Sequence, residues 1–273
     1  MARKFTMGID VTLIIGIIGF FVLNLYSIGT DYVLEIFWNP ASMAIVLGGV
    51  FTAAHIQFPD TQFRKIFARL KVCFTFKQKH NYINDIDQVS ALSRKIRQTG
   101  LESIQSDVDK CKDHFLKISL QLLVDKVSPH DLERILLENI RYIQKRHVLG
   151  ILFFETMGKY SPGFGLFGTV VGLVKLLSDL SNPAIFGQSM AMAMVTTFYG
   201  LLFAYLLFNP IAGRLRVLSY EEAMQKEMLT VGITALAQGD QPYVVKEKMQ
   251  LFLTDKERKS LWKKCYQSEN QLR

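Results

Sequence analysis

Along this chain, long uncharged runs alternate with stretches in which apolar residues recur at helical spacing. Residues 8–28 carry Asp10 as their only charge, and residues 36–58 carry none. Residues 147–177 carry Glu155, Lys159 and Lys175, and residues 183–213 carry none. A helix crosses about 30 Å of hydrocarbon with about 20 apolar residues, so each run is long enough to span a membrane. Four spans are predicted. Arg3 and Lys4 precede the first run, but that run exceeds the roughly 15 residues of a signal-peptide core and lacks a small-x-small cleavage site, so it reads as a retained helix.

Between the second and third runs the pattern becomes amphipathic. Phe63, Ile66, Phe67 and Leu70 oppose Arg64, Lys65, Arg69 and Lys71, as in a helix lying on a membrane surface. Ile86, Val89, Leu92 and Ile96 mark a second helix, ended by Gly100 as a carboxy-terminal cap. Phe115, Ile118 and Leu122 mark a third. Ser128-Pro129-His130-Asp131 then combines a cap, a first-turn proline and a capping-box acid, and Leu132, Ile135, Leu136, Ile140 and Ile143 continue that face towards the third span. After the fourth run a helix persists over residues 219–236 and breaks at Gly239-Asp240-Gln241-Pro242. A short helix over 243–253 and a mobile polar tail from Thr254 follow. Trp38, Asn39 and Pro40 open the second span with an interfacial aromatic and a helix-starting proline. No alternation indicates strands.

The predicted class is an all-α integral membrane protein with four transmembrane helices and a cytoplasmic helical domain between spans two and three. Residues 1–58 hold the first two spans, 59–147 the cytoplasmic domain, 148–213 the last two spans, and 214–273 the carboxy-terminal cytoplasmic helices and tail. Charge sets the orientation: residues 59–146 hold 17 Lys/Arg against 11 Asp/Glu, and residues 214–273 hold 11 against 8. The other connections offer only Asp31, Glu35 and Asp179, so both termini and the large loop face the cytoplasm. Topology and attraction to anionic membrane lipid account for the net charge of +8, and no nucleic-acid motif competes.

Enzyme motifs are missing: there is no G-x-S-x-G, phosphate loop, HExxH or paired CxxC, and the 5 histidines are dispersed. Cys73, Cys111 and Cys265 are read as reduced structural thiols, and Cys111 with His114 lacks the second pair that a metal site needs.

The third and fourth runs form the centre of the chain, over residues 159–215. Gly165, Gly168 and Gly172 recur on one helix, and Thr196, Gly200 and Ala204 recur every four residues on the other, faces that let backbones approach in lipid. A charge at mid-bilayer costs about 2.5–3.5 kcal/mol, so an ion carrier there should stand out. Lys175 lies near the outer end and can snorkel, Glu155 and Lys159 can pair near the inner end, and no carboxylate remains at mid-depth. Thr169, Thr196 and Thr197 are the polar groups available. Their hydroxyls either bond back to their own helices or contribute oxygens to an ion path. Pro162 and Pro210 are kinks or hinges.

Pro162-Gly163-Phe164-Gly165-Leu166-Phe167-Gly168-Thr169-Val170-Val171-Gly172-Leu173, Thr197-Phe198-Tyr199-Gly200, Ala204 and Asn209-Pro210-Ile211-Ala212 resemble the MotA family of flagellar stator proteins, within the MotA/TolQ/ExbB group. Val46-Leu47-Gly48-Gly49 and residues 239–242 add to a likeness that runs from about Met7 to Leu253. The order of spans favours MotA over the three-span ExbB and TolQ. The resemblance implies a multi-pass subunit of the bacterial inner membrane, a homopentamer around two MotB-type helices that supply the missing aspartate, and torque passed to the rotor protein FliG. It implies no cofactor, only a transported H+ or Na+. Thr197 matches a family pore threonine, and Pro162 and Pro210 match prolines linked to coupling. Arg97 matches a basic rotor-contact residue, while the acidic position falls on Gln105, with Glu102 and Asp107 nearby. Thr169 resembles sodium-type members, and Asn39 stands where those often carry an acid, so the balance leans only slightly to sodium. The alternative is an ExbB/TolQ-like or defence-system motor that energises a non-flagellar process.

Overall fold

The structure, a computed structural model, describes residues 8–9, 15–16, 18–19, 22, 26, 37–59, 75–76, 82–111, 113–178 and 183–259 of the 273-residue chain. Most of the first predicted span and all of the amphipathic segment 61–71 lie outside these residues. In chain order the described elements are β1 (Gly8–Ile9), α1 (Pro40–Gln57), β2 (Thr75–Phe76), α2 (Tyr82–Thr99), a 3-10 turn (Leu101–Ile104), α3 (Gln105–Lys110) and α4 (His114–Val124). They continue with α5 (Pro129–Ser178), α6 (Pro183–Leu202), a π-helical segment (Phe203–Phe208), α7 (Asn209–Ala237) and α8 (Pro242–Gln250). Among the described residues the regular elements are helical apart from β1 and β2, which pair antiparallel with Gly8 opposite Phe76 and Ile9 opposite Thr75. Two residues per strand are too few for a period of two to show in sequence, which explains why no strand is read there.

Helix starts follow local chemistry. Asn39 caps α1 by accepting from Ser42 N–H at 3.0 Å, with Pro40 in the first turn. Asp113 caps α4 at Leu116 N–H, 2.9 Å away. Ser128 Oγ accepts from Asp131 N–H at 3.2 Å at the start of α5. Gly100 ends α2 at φ 84°, and its N–H reaches Ile96 O at 2.8 Å. At the start of the predicted tail, Glu257 accepts from both Thr254 N–H (3.1 Å) and Oγ1 (2.8 Å) at the head of a helical turn over residues 255–259.

The helix of the fourth run continues past Pro210. α6 widens into the π-helical segment, in which Asn209 N–H donates to Ala204 O, and α7 carries on through Pro210 to Ala237. Proline has no N–H and its ring crowds the carbonyl one turn back, so a widened turn ahead of it lets the helix pass.

The chain divides into two compact units: residues 1–77 with 147–217, and residues 78–146 with 218–273. In the first, Val50, Ala54, Phe58, Phe153, Phe154, Met157, Phe208, Ile211 and Ala212 form a core among α1, α5 and α7, with Phe58 edge-on to Phe153 at 5.3 Å. Among the described residues, Pro40–Gln57, Pro129–Ser178 and Phe186–Ala237 are long and apolar enough to cross a membrane. Only 22%, 28% and 39% of their apolar windows are buried within the chain, so most of that surface requires lipid or other chains to cover it.

The second unit is a bundle with a conventional core, including Ile86, Ile104, Leu120, Leu132, Leu136, Met228, Ile233 and Met249. α8 packs against α2. Ile135 departs from the expected face: it is 41% exposed, while Leu132 and Leu136 are buried. A helix turns 100° per residue, so a neighbour of two core positions can still stand at the edge of the stripe.

Candidate functional site

α5 and α6 meet along a seam of small residues. A methyl group on Gly165 would lie 3.1 Å from both Gly200 Cα and Thr196 O, and one on Gly200 would lie 2.8 Å from Ser161 O, so here backbone rests on backbone. Gly168 faces the Thr196 side chain, with its methyl position 2.6 Å from Cγ2, and Gly172 faces Ala193 Cβ at 2.8 Å. Ala204, 1% exposed, lies in the π-helical segment. Close approach of this kind supplies the van der Waals contact that holds helices together where lipid provides no hydrophobic drive.

The three threonines separate in role. Thr196 is fully buried and donates within its own helix, to Met192 O at 3.0 Å or Ala193 O at 2.8 Å. This is the back-bonding typical of hydroxyls in apolar helices. Thr169 and Thr197 are half-buried, and their hydroxyls bond to each other across the seam. Thr169 Oγ1 also lies 3.1 Å from Gly165 O and 3.1 Å from Ala193 O. A hydroxyl has one proton. The pair is satisfied when Thr197 donates to Thr169 and Thr169 donates to one of the two carbonyls. The arrangement leaves oxygen lone pairs at a site that is only partly covered.

Pro162 lies inside α5, and Pro210 is the second residue of α7. Lys175 is exposed in the last turn of α5. Glu155 does not take Lys159 as its partner, as their spacing predicted; it accepts from Arg216 on α7. An exposed pair along one helix contributes only about 0.3–0.5 kcal/mol, whereas a guanidinium presents several donors in a rigid fork.

The residues predicted to meet a rotor lie in the second unit. Arg97 Nη2 donates to Gly239 O at 3.3 Å, Gln105 Nε2 donates to Gln121 Oε1 at 3.3 Å, and Asp107 pairs with Lys95 at 2.7 Å. Glu102 is exposed on the 3-10 turn. No cluster of three or more metal-ligating side chains occurs among the described residues. The Cys111 thiol donates to Asp113 O at 3.6 Å, and burial pushes its pKa up, which disfavours the thiolate that binds metal.

Tyr199, a residue of the Thr197–Gly200 motif, makes a contact that no sequence pattern assigned to it. This residue, 6% exposed, donates its hydroxyl to Phe37 O and accepts from Asn39 N–H at 3.4 Å, tying the start of α1 to α6. Its ring stacks on Phe203 at 5.8 Å. A buried tyrosine needs a partner for its hydroxyl, and that requirement was the available signal in an otherwise apolar run.

Comparison with known proteins gives consistent relatives. Residues 107–228 match the MotA/TolQ/ExbB proton channel family. Motility protein A of Borreliella burgdorferi is 32% identical over 244 residues, covering 89% of this chain and 94% of that protein. Chemotaxis protein PomA of Vibrio alginolyticus is 27% identical over 254 residues, covering 91% of this chain and 97% of that protein. The flagellar MotAB stator complex from Bacillus subtilis contains a chain similar in structure, with TM-score 0.83, 28% identity and coverage of 91% of this chain and 98% of that one.

Proposed function

The chain belongs to the MotA/TolQ/ExbB proton channel family, and from that membership we propose that it is a flagellar stator subunit that couples cation flow to rotation and torque. It acts with a MotB-like partner. The observation that carries the ion path is the half-buried Thr169–Thr197 hydroxyl pair, set in an interval, residues 160–213, whose only acid is Asp179. Hydroxyl oxygens can replace part of an ion's hydration shell or hold water, but they neither take up nor release a proton at neutral pH. The titrating carboxylate therefore comes from the partner helix. Neutralising it at mid-membrane, by H+ or Na+, removes a charge whose burial costs about 2.5–3.5 kcal/mol, enough to bias the next step of the ring.

In this reading the chain crosses the bacterial inner membrane four times, with both termini and residues 59–147 in the cytoplasm. A homopentamer surrounds the MotB-type helices. Gly165, Gly168, Gly172, Gly200 and Ala204 hold α5 and α6 together, Thr196 braces the seam, and Pro162 and Pro210 act as hinges. The face carrying Arg97, Glu102 and Gln105 meets FliG. No resident cofactor takes part.

Pro162→Ala and Thr197→Ala test the reading in cells that lack their own stator pair and express this chain with its partner. Both proteins are expected at wild-type abundance in the membrane, with swimming lost. Full-speed swimming by both variants rejects the ion path. Varying sodium at fixed pH identifies the ion, since motor speed that persists without sodium assigns the proton.

A further inference from the structure

The two proline-bearing segments of the first unit meet at a contact that the ion path does not use. Gly158, one turn ahead of Pro162 on α5, is buried against the side chain of Asn209, the residue before Pro210. A methyl on Gly158 would lie 2.9 Å from Asn209 Cγ and closer still to Oδ1. Met157, 1% exposed, and Phe208, 3% exposed, belong to one core beside the contact, while Asn209 itself is exposed.

Each side of this contact adjoins a defect in a helix. Pro162 has no N–H to offer the carbonyl of Gly158, four residues back, and Pro210 has none for Leu206. Asn209 also supplies the N–H that joins the π-helical segment to Ala204 O. Ser161 is fully buried with an unpartnered hydroxyl beside Pro162. The hydrogen-bond ladders are therefore loosened at both prolines, and one side-chain contact joins the two places.

We propose that Asn209 is a positioning residue whose amide, seated on the bare turn at Gly158, keeps the bends at Pro162 and Pro210 in register, so that a change in one helix is passed to the other. The inference rests on the stator reading and deepens it. A methyl at 158 would occupy the place of the amide oxygen, and because Asn209 is exposed it would turn the amide out of its seat and so break the contact between the two helices. The contacting group is the end of a side chain. A methyl at 158 can therefore be accommodated if residue 209 is shortened, which makes the contact testable by compensation.

The test is a double-substitution cycle with Gly158→Ala and Asn209→Ala, in full-length protein expressed with its partner in cells lacking their own stator pair. Torque at fixed load, membrane abundance and co-purification of the partner are measured together. Each single variant is expected to lower torque about three- to tenfold with abundance and partner binding little changed, and the double variant to recover at least about threefold over Gly158→Ala. A double variant that shows only the product of the two losses overturns the inference. If Gly158→Ala fails to accumulate, recovery of abundance in the double variant supports the contact, and absence of recovery overturns it. Wild-type protein that assembles but produces no torque counts against the stator reading, whereas uncoupled losses count against Asn209 alone.

Discussion

The seam between α5 and α6 and the helical bundle of the second unit bury surface by opposite means. In the bundle, large side chains such as Ile86, Leu132, Leu136, Met228 and Met249 fill the interior, and their removal from water supplies about 25 cal/mol per Å². At the seam the contacting groups are Gly165, Gly168, Gly172, Gly200 and Thr196. Lipid is as apolar as leucine, so there is little to gain by hiding methyl groups from it; backbone contact and hydrogen bonds remain. The bundle should therefore be sensitive to atoms removed, and the seam to atoms added.

The largest effect expected is in the bundle. Leu136 is fully buried, and Leu136→Ala should cost about 2–5 kcal/mol through lost transfer energy and the cavity left behind. Thermal unfolding of the purified protein with its partner reads this. A loss below about 1 kcal/mol would remove the contrast with the seam, since such a core would be able to collapse around the gap.

At the seam the reverse substitution is informative. A methyl on Gly200 meets Ser161 O at 2.8 Å and Gly165 Cα at 2.9 Å, both backbone atoms. Neither can rotate away, so Gly200→Ala has to move one helix relative to the other, and a cost of about 1–3 kcal/mol is expected. The same unfolding measurement checks it. A neutral result would show that the two helices separate easily, and that their close approach is not what holds them.

Much of the secondary structure was legible because local rules decide it. Asn39-Pro40, Ser128-Pro129 and Gly100 mark helix ends in the structure, as their chemistry requires, and the apolar spacing in residues 86–96 and 114–124 matches α2 and α4. Partners were not legible. Periodicity says which face of a helix is buried but not what covers it, so Glu155 was assigned to its neighbour Lys159 when Arg216, 61 residues away, was its partner. Tyr199 reaches Phe37 across 162 residues, a distance no local pattern encodes. The π-helical segment was not legible because apolar spacing does not mark a single widened turn, even though Pro210, read as a kink or hinge, stands just after it. The threonines illustrate the limit within the candidate site. One residue type at adjacent positions, Thr196 and Thr197, yields a hydroxyl bonded within its own helix and another bonded across the seam, and only the rotation of α6 against α5 distinguishes them.

The smallest expected effect sharpens the contrast most. Gly232 lies in the bundle, and a methyl there would meet Met249 Cε at 3.1 Å and Sδ at 2.5 Å, the latter closer than any contact at Gly200. Distance alone would rank Gly232→Ala as the more damaging change. The contacting atoms, however, belong to an unbranched thioether with three rotatable bonds, which can turn aside where a carbonyl of a neighbouring helix cannot. Alanine within a helix also gains about 0.5–1 kcal/mol over glycine through reduced chain entropy in the unfolded state. The two terms oppose each other, so Gly232→Ala should shift stability by less than about 1 kcal/mol in either direction. If it instead destabilises as much as Gly200→Ala, then methionine packing in the bundle is as unyielding as the backbone seam, and the difference between the regions lies in side-chain size rather than in the kind of atom that forms the contact.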